Sequence, residues 1–106
     1  MSSFLKFRKY KKGQGKSNRI HPKLIVGENK RKFKYLGLTS SSTKGKHHKN
    51  LSLNDNTEKN NSNKAYLRKK IEEDDKTMFG DILKDFNLSD SDKIKVIEFL
   101  NKHKKS

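Results

Sequence analysis

Two short runs combine cations with aromatic rings: Lys6–Lys12 (KFRKYKK) and Lys30–Lys34 (KRKFK). Lysine and arginine neutralise phosphates and release the counterions condensed around a nucleic acid. Rings set among them, here Phe7, Tyr10 and Phe33, can stack on unpaired bases, because every base has a π face. The combination points to a single strand more than to a duplex read through its grooves. The expected contacts are Lys6, Arg8, Lys9, Tyr10, Lys11 and Lys12 in the first run and Lys30, Arg31, Lys32 and Lys34 in the second. Lys23 lies between the runs, and Lys44 and Lys46 lie beyond them. The plain alternative is a lysine-rich solvated surface, and similar runs also bind anionic membranes or act as nuclear import signals.

Three other groups invite chemistry and are weaker. His21, the pair His47-His48 and His103 lie in lysine-rich surroundings without carboxylate or thiolate at ligand spacing, so a metal ion would meet repulsion there. The run Glu72-Glu73-Asp74-Asp75 offers hard oxygen ligands suited to magnesium, but four consecutive acids are more commonly a solvated turn or helix start. Gly13-Gln14-Gly15-Lys16 is too short for a phosphate-cradling loop, which needs a strand before it and a helix after it. No metal and no cofactor is expected.

The elements that must position these residues are few. Residues 1–20 read as a flexible basic arm, since Gly13 and Gly15 interrupt any period. His21-Pro22 introduces a short β-branched strand over 23–27 (KLIVG), ended by the turn residues Gly27-Glu28-Asn29. Lys32–Thr39 (KFKYLGLT) alternates Phe33 and Tyr35 with Lys32 and Lys34, the period of a half-buried strand, so the two segments predict a hairpin. Residues 40–50 read as a loop, 50–53 as a brief strand, 54–64 as a mobile Asn-rich loop and 65–71 as a further strand or the start of a helix, with strand preferred. Phe79, Ile82, Leu83 and Phe86 recur at helical spacing and predict a short helix over 78–86. A final helix follows, capped by Ser89, with Asp90 and Asp92 at its start, Lys102, Lys104 and Lys105 at its end, and Ile94, Val96, Ile97 and Leu100 on one broad face. These elements predict an α+β chain in which a strongly bent antiparallel sheet or partly closed barrel carries a C-terminal helical pair. Residues 21–106 would form its single small domain.

The hairpin carries a resemblance. Its HPKLIVG strand followed by YLGLTSS resembles the central hairpin of the MazF/PemK-like and ToxN-like toxin superfamily, over about residues 19–42. In that family a basic residue and Pro open an apolar strand, and the next apolar strand ends in Thr-Ser. The resemblance implies a small SH3-like barrel with a terminal helix and metal-independent cleavage of single-stranded RNA by an Arg and a Thr. Thr39 matches the Thr, and His21 stands where the family has its Arg before the Pro. Cleavage by the RNA's own 2′-hydroxyl needs a base, cations for the phosphorane and an acid for the leaving oxygen. His21 would be base or acid, Arg19 or Lys23 the electrostatic clamp, and Thr39 or Ser40 a donor to phosphate.

Composition sets the limits. The 106 residues have room for one domain, with 28% hydrophobic and 37% charged residues, no Cys and no Trp. No apolar run approaches the roughly 20 residues of a membrane span, so a cytoplasmic protein without a membrane partner is expected. The net charge of +15 is lopsided: residues 1–50 hold 15 Lys/Arg against one acid, and residues 51–106 hold 12 against 11. So uneven a field repels itself unless a polyanion meets it. The expected partner is nucleic acid, RNA before DNA, with a protein antitoxin or a ribonucleoprotein as the further partners this reading allows. The protein would be a toxin-like endoribonuclease of a mobile element or defence system, or a non-catalytic binder or inhibitor of a nucleic acid or ribonucleoprotein.

Overall fold

The alternating segment Lys32–Thr39 is the strand on which the fold is built. In the computed structural model, which describes residues 3–11, 22–39, 43–44, 48–53 and 65–104, it is the third of nine strands. They are β1 (Phe7–Tyr10), β2 (Lys23–Glu28), β3 (Lys32–Thr39), β4 (Thr43–Lys44), β5 (His48–Lys49), β6 (Leu51–Ser52), β7 (Tyr66–Leu67), β8 (Glu72–Asp75) and β9 (Phe79–Ile82). A single 3-10 turn (Lys76–Met78) joins β8 to β9, and one helix, α1 (Asp90–Lys104), closes the described chain. Seven strands form an open antiparallel sheet in the order β6-β7-β3-β2-β1-β9, with β8 also paired to β3, while β4 and β5 pair with each other.

β2 and β3 form the expected hairpin, in register from Lys23↔Gly37 to Glu28↔Phe33 with a bulge between Ile25 and Gly27. Asn29 makes its turn: the side-chain Oδ1 accepts the backbone N–H groups of Arg31 at 2.9 Å and Lys32 at 2.8 Å, an Asx arrangement that frees the backbone from needing other partners there. The far edge of β3 is shared end to end by β8, opposite Lys32–Tyr35, and β7, opposite Leu38 and Thr39. The 3-10 turn then carries the chain from that edge to the opposite one, where β9 pairs with β1.

Two apolar clusters follow from the strand period. Phe7, Leu24, Leu36, Leu38, Leu53 and Leu67 gather with Leu88 and Val96, and Phe86, Phe99 and Leu100 pack against them. The second cluster is aromatic: Ile25, Phe33, Tyr35 and Phe79, with Tyr10 and Met78 against it. Each fully buried ring or leucine stabilises the fold by about 1.5–3 kcal/mol through apolar area removed from water.

Four expectations change. The basic arm is not free over its first half, because Phe7 has no exposed surface and β1 lies between β2 and β9. Residues 78–86 are not a helix, so there is one C-terminal helix and no helical pair: Phe79–Ile82 is β9. Phe79 joins the aromatic cluster while Leu83 and Phe86 join the other. One helical stripe cannot serve both clusters, and the backbone of β1 needed an edge partner. The acidic run is neither turn nor helix start but strand β8. On α1, Val96 is buried whereas Ile94 and Ile97 are exposed, so the broad face divides. The expected cap holds: Ser89 Oγ accepts the N–H of Asp92 at 3.2 Å. The Asn-rich loop at 54–64 lies outside the described residues. Among those described, no helix is long and apolar enough to cross a membrane.

Candidate nucleic-acid interface

The two basic runs have different fates. In β1, alternate residues face opposite ways, so Phe7 and Lys9 separate from Arg8 and Tyr10. Arg8 is consumed by the fold: Nη1 donates to the Gly80 carbonyl at 2.6 Å, Nη2 and Nε donate to Ser3 Oγ at 2.9 and 3.2 Å, and its guanidinium lies 5.2 Å from the Phe33 ring centre. Lys9 places its ammonium 5.7 Å from the Phe86 ring centre. Lys6 and Lys11 flank the strand, are exposed, and make no ion pair among the described residues.

The second run lies beside the acids. Its cations at Lys30, Arg31, Lys32 and Lys34 are all exposed, but register sets Lys32 opposite Asp75 and Lys34 opposite Glu73. Lys32 Nζ approaches Glu73 Oε1 to 3.8 Å. Two cations therefore stand opposite two carboxylates across one strand pair, and opposite charges at such positions stabilise a sheet. The same alternation sends Glu72 and Asp74 to one face of β8 and Glu73 and Asp75 to the other. Among the described residues no three potential ligands gather at one point.

The rings expected to stack on bases are mostly inside. Phe7 and Phe33 are buried, which removes both from any stacking surface. Tyr10 and Tyr35 close a polar triangle with Asp74: Tyr35 donates to Asp74 Oδ2 at 2.7 Å, the two hydroxyl oxygens are 2.7 Å apart, and Tyr10 also donates to Asp74. Two hydroxyl protons thus serve three edges. Burial, then the Asp74 hydrogen bond, pushes the Tyr10 pKa up to about 12. Burial first, then the bonds to Tyr10 and Asp74, raises Tyr35 as well. Both stay protonated at neutral pH and act as donors. Lys23 is buried beside them, its ammonium 4.2 Å from the Tyr10 ring centre and 5.9 Å from that of Tyr35, a desolvated cation–π pairing rather than an open phosphate contact.

Of the expected catalytic residues, Thr39 is half-buried at the end of β3 and pairs with Tyr66. His21 and Arg19 lie outside the described residues, as do Lys12, Lys46 and Ser40. Lys44 belongs to β4. Pro22 is buried, and its carbonyl accepts the N–H of Leu38 at 3.0 Å. The backbone thereby brings the residue after His21 beside the residue before Thr39. His103 is exposed on α1 with its ring 5.7 Å from Phe99. The residue sequence reasoning passed over is Phe4, exposed at 45%. Its signal was available in the alternation of rings and cations that begins before Lys6.

No family model matches this chain, and neither a curated protein nor a solved structure matches it.

Proposed function

We propose that the protein binds single-stranded nucleic acid, RNA before DNA, through cations on and around its first strand. The observation that carries this reading is the asymmetry of the basic segments. Lys6 and Lys11 are exposed without ion pairs among the described residues, and no Asp or Glu precedes Glu28 in the chain, whereas Lys32 and Lys34 of the second run stand opposite Asp75 and Glu73 of β8. A charge that the fold does not neutralise is available to a phosphate polymer. The test is binding of a labelled single-stranded RNA against salt. The expected result is a steep fall of log K with log salt, each phosphate contact contributing about 0.7 to the slope. A protein that leaves RNA and DNA unbound in dilute buffer defeats the reading.

The strand order supports a finer view of the fold. β8-β3-β2-β1-β9, with a 3-10 turn between β8 and β9, follows the connection of an SH3-like barrel, residues 40–71 being an insertion between its third and fourth strands. This is the fold that the hairpin's resemblance to the toxin superfamily implies.

A second reading, metal-independent cleavage of the bound RNA as a toxin-like endoribonuclease, is favoured by one observation, the Leu38-to-Pro22 backbone bond near Thr39. His21 would exchange the proton, Arg19 would stabilise the phosphorane and Thr39 would donate to a phosphate oxygen. A protein antitoxin or a ribonucleoprotein would then be the natural partner. Cleavage in excess EDTA that vanishes on His21→Ala supports this reading. Binding with intact RNA leaves the protein a non-catalytic binder or inhibitor.

A further inference from the structure

Phe4 is the one exposed phenylalanine among the described residues. Phe7, Phe33, Tyr35 and Phe79 are buried, but Phe4 is 45% exposed. It lies in a tight turn in which the N–H of Lys6 donates to the Ser3 carbonyl at 2.9 Å. The next residue, Leu5, has φ of 59°, the one left-handed non-glycine residue among those described. An L residue with a branched side chain rarely adopts that conformation, and it persists only where the surroundings over-determine it.

The surroundings do so here. Leu5 donates its N–H to the Ile25 carbonyl at 2.7 Å, and Ile25 returns its own N–H to the Lys6 carbonyl at 2.9 Å. The Leu5 side chain packs against the cluster of Phe7 and Leu24. Ser3 is buried and holds Arg8. The backbone is therefore clamped on both sides of Phe4, with Leu5 turned inward, Phe4 outward and the exposed cation Lys6 two residues on. An apolar ring on a rigid turn loses little freedom on binding, and a neighbouring cation can take the phosphate of the stacked nucleotide.

We infer that Phe4 is the stacking platform for an unpaired base, with Lys6 on the adjoining phosphate. The inference rests on the nucleic-acid reading and narrows its substrate to strands with splayed-out bases. An exposed ring beside a lysine would also suit an anionic membrane surface, and the experiment separates the two.

The chain has no Trp, so Phe4→Trp installs a single indole reporter. Its emission is expected to be quenched by single-stranded RNA, with little response to a duplex of equal phosphate count. Phe4→Ala is expected to weaken single-strand binding by about 5- to 150-fold. The salt slope should stay unchanged, because no phosphate contact is lost, and Phe4→Trp should retain the affinity. If the wild type binds RNA and Phe4→Ala binds it equally well, or loses duplex and single strand alike, this inference falls while the parent reading stands. An indole that shifts only with phosphatidylserine vesicles overturns it in favour of a membrane. A wild type that binds neither RNA nor DNA overturns both.

Discussion

The basic runs at 6–12 and 30–34 look alike in sequence and differ in structure. Both interleave lysine and arginine with aromatic residues, and both bury a phenylalanine, Phe7 in one and Phe33 in the other. The difference lies across the sheet. β3 sets Lys32 and Lys34 of the second run against Asp75 and Glu73 of β8, whereas the register partners of β1 are Leu24, Lys23, Ile82 and Phe79, with no acid among them. A charge run becomes a binding surface only when its register partners do not already satisfy it. Register, a long-range property, decides that.

The largest test of this contrast is Phe33→Ala. Phe33 is 6% exposed, lies edge-on to Phe79 at 5.3 Å between ring centres, and receives the cations of Arg8 and Lys76 at 5.2 and 5.3 Å. Truncating it should destabilise the protein by about 3–5 kcal/mol in denaturant unfolding. Unchanged stability with lost RNA binding would return Phe33 to the surface and erase the difference between the runs.

Paired charge removal sharpens the comparison next. Lys6→Ala with Lys11→Ala should weaken single-stranded RNA binding on the order of tenfold and lower the salt slope by about 1.4, two contacts' worth. Lys32→Ala with Lys34→Ala should move the slope far less, because those cations face Asp75 and Glu73. Equal effects from both pairs in a fluorescence titration would mean that the acids of β8 do not shield their partners.

The same contrast explains how much could be read in advance. The β2–β3 hairpin was legible because KLIVG is β-branched, KFKYLGLT alternates and Asn29 supplies the turn, all of them local signals. α1 was legible through Ser89 and the acids behind it. β1 was hidden because four of the six residues 6–11 carry charge, although Phe7 with Lys9 and Arg8 with Tyr10 already obeyed the strand period. β8 was invisible because Glu and Asp disfavour strands and the strand it pairs with is the basic one some forty residues earlier. Residues 79–86 misled because their spacing suits a helix, while the two clusters that divide them exist only after folding. For the site, the cations were found as a class, but which of them the fold consumes was not. Arg8 and Lys23 turned inward, and Phe4 was missed because it lies just ahead of the run that was read as starting at Lys6.

A smaller effect separates the inward half of β1 from its outward half. Tyr10→Phe removes one hydroxyl from the triangle with Tyr35 and Asp74 and should cost about 1 kcal/mol of stability while leaving RNA affinity unchanged. The pH dependence carries the same information. The Tyr10 pKa is raised from 10.0 to about 12 in the folded chain, so its contribution is complete below pH 10 and fades as pH climbs through 12. The wild type should lose thermal midpoint over that alkaline window more steeply than Tyr10→Phe. Parallel curves would show that the hydroxyl is not held as described.

The smallest expected effect lies at the joint between β8 and β9. Lys76 Nζ pairs with Glu28 Oε2 at 2.7 Å, and this hydrogen bond is the chief reason the Glu28 carboxyl sits below its ordinary 4.5. A depressed carboxyl stabilises the fold above its unfolded value, and that contribution disappears as pH falls through the lower folded one. Both groups are partly solvated, so screening keeps the effect slight. Lys76→Met keeps much of the side-chain volume over Phe33 but removes the charge, and should flatten the acid limb of the midpoint-against-pH curve without changing its neutral plateau. It should also leave RNA binding intact, because Lys76, like Lys32, is a cation whose partner is inside the protein. A loss of RNA affinity in Lys76→Met would place a phosphate contact on the acidic side of the sheet, where the contrast between the two runs allows none.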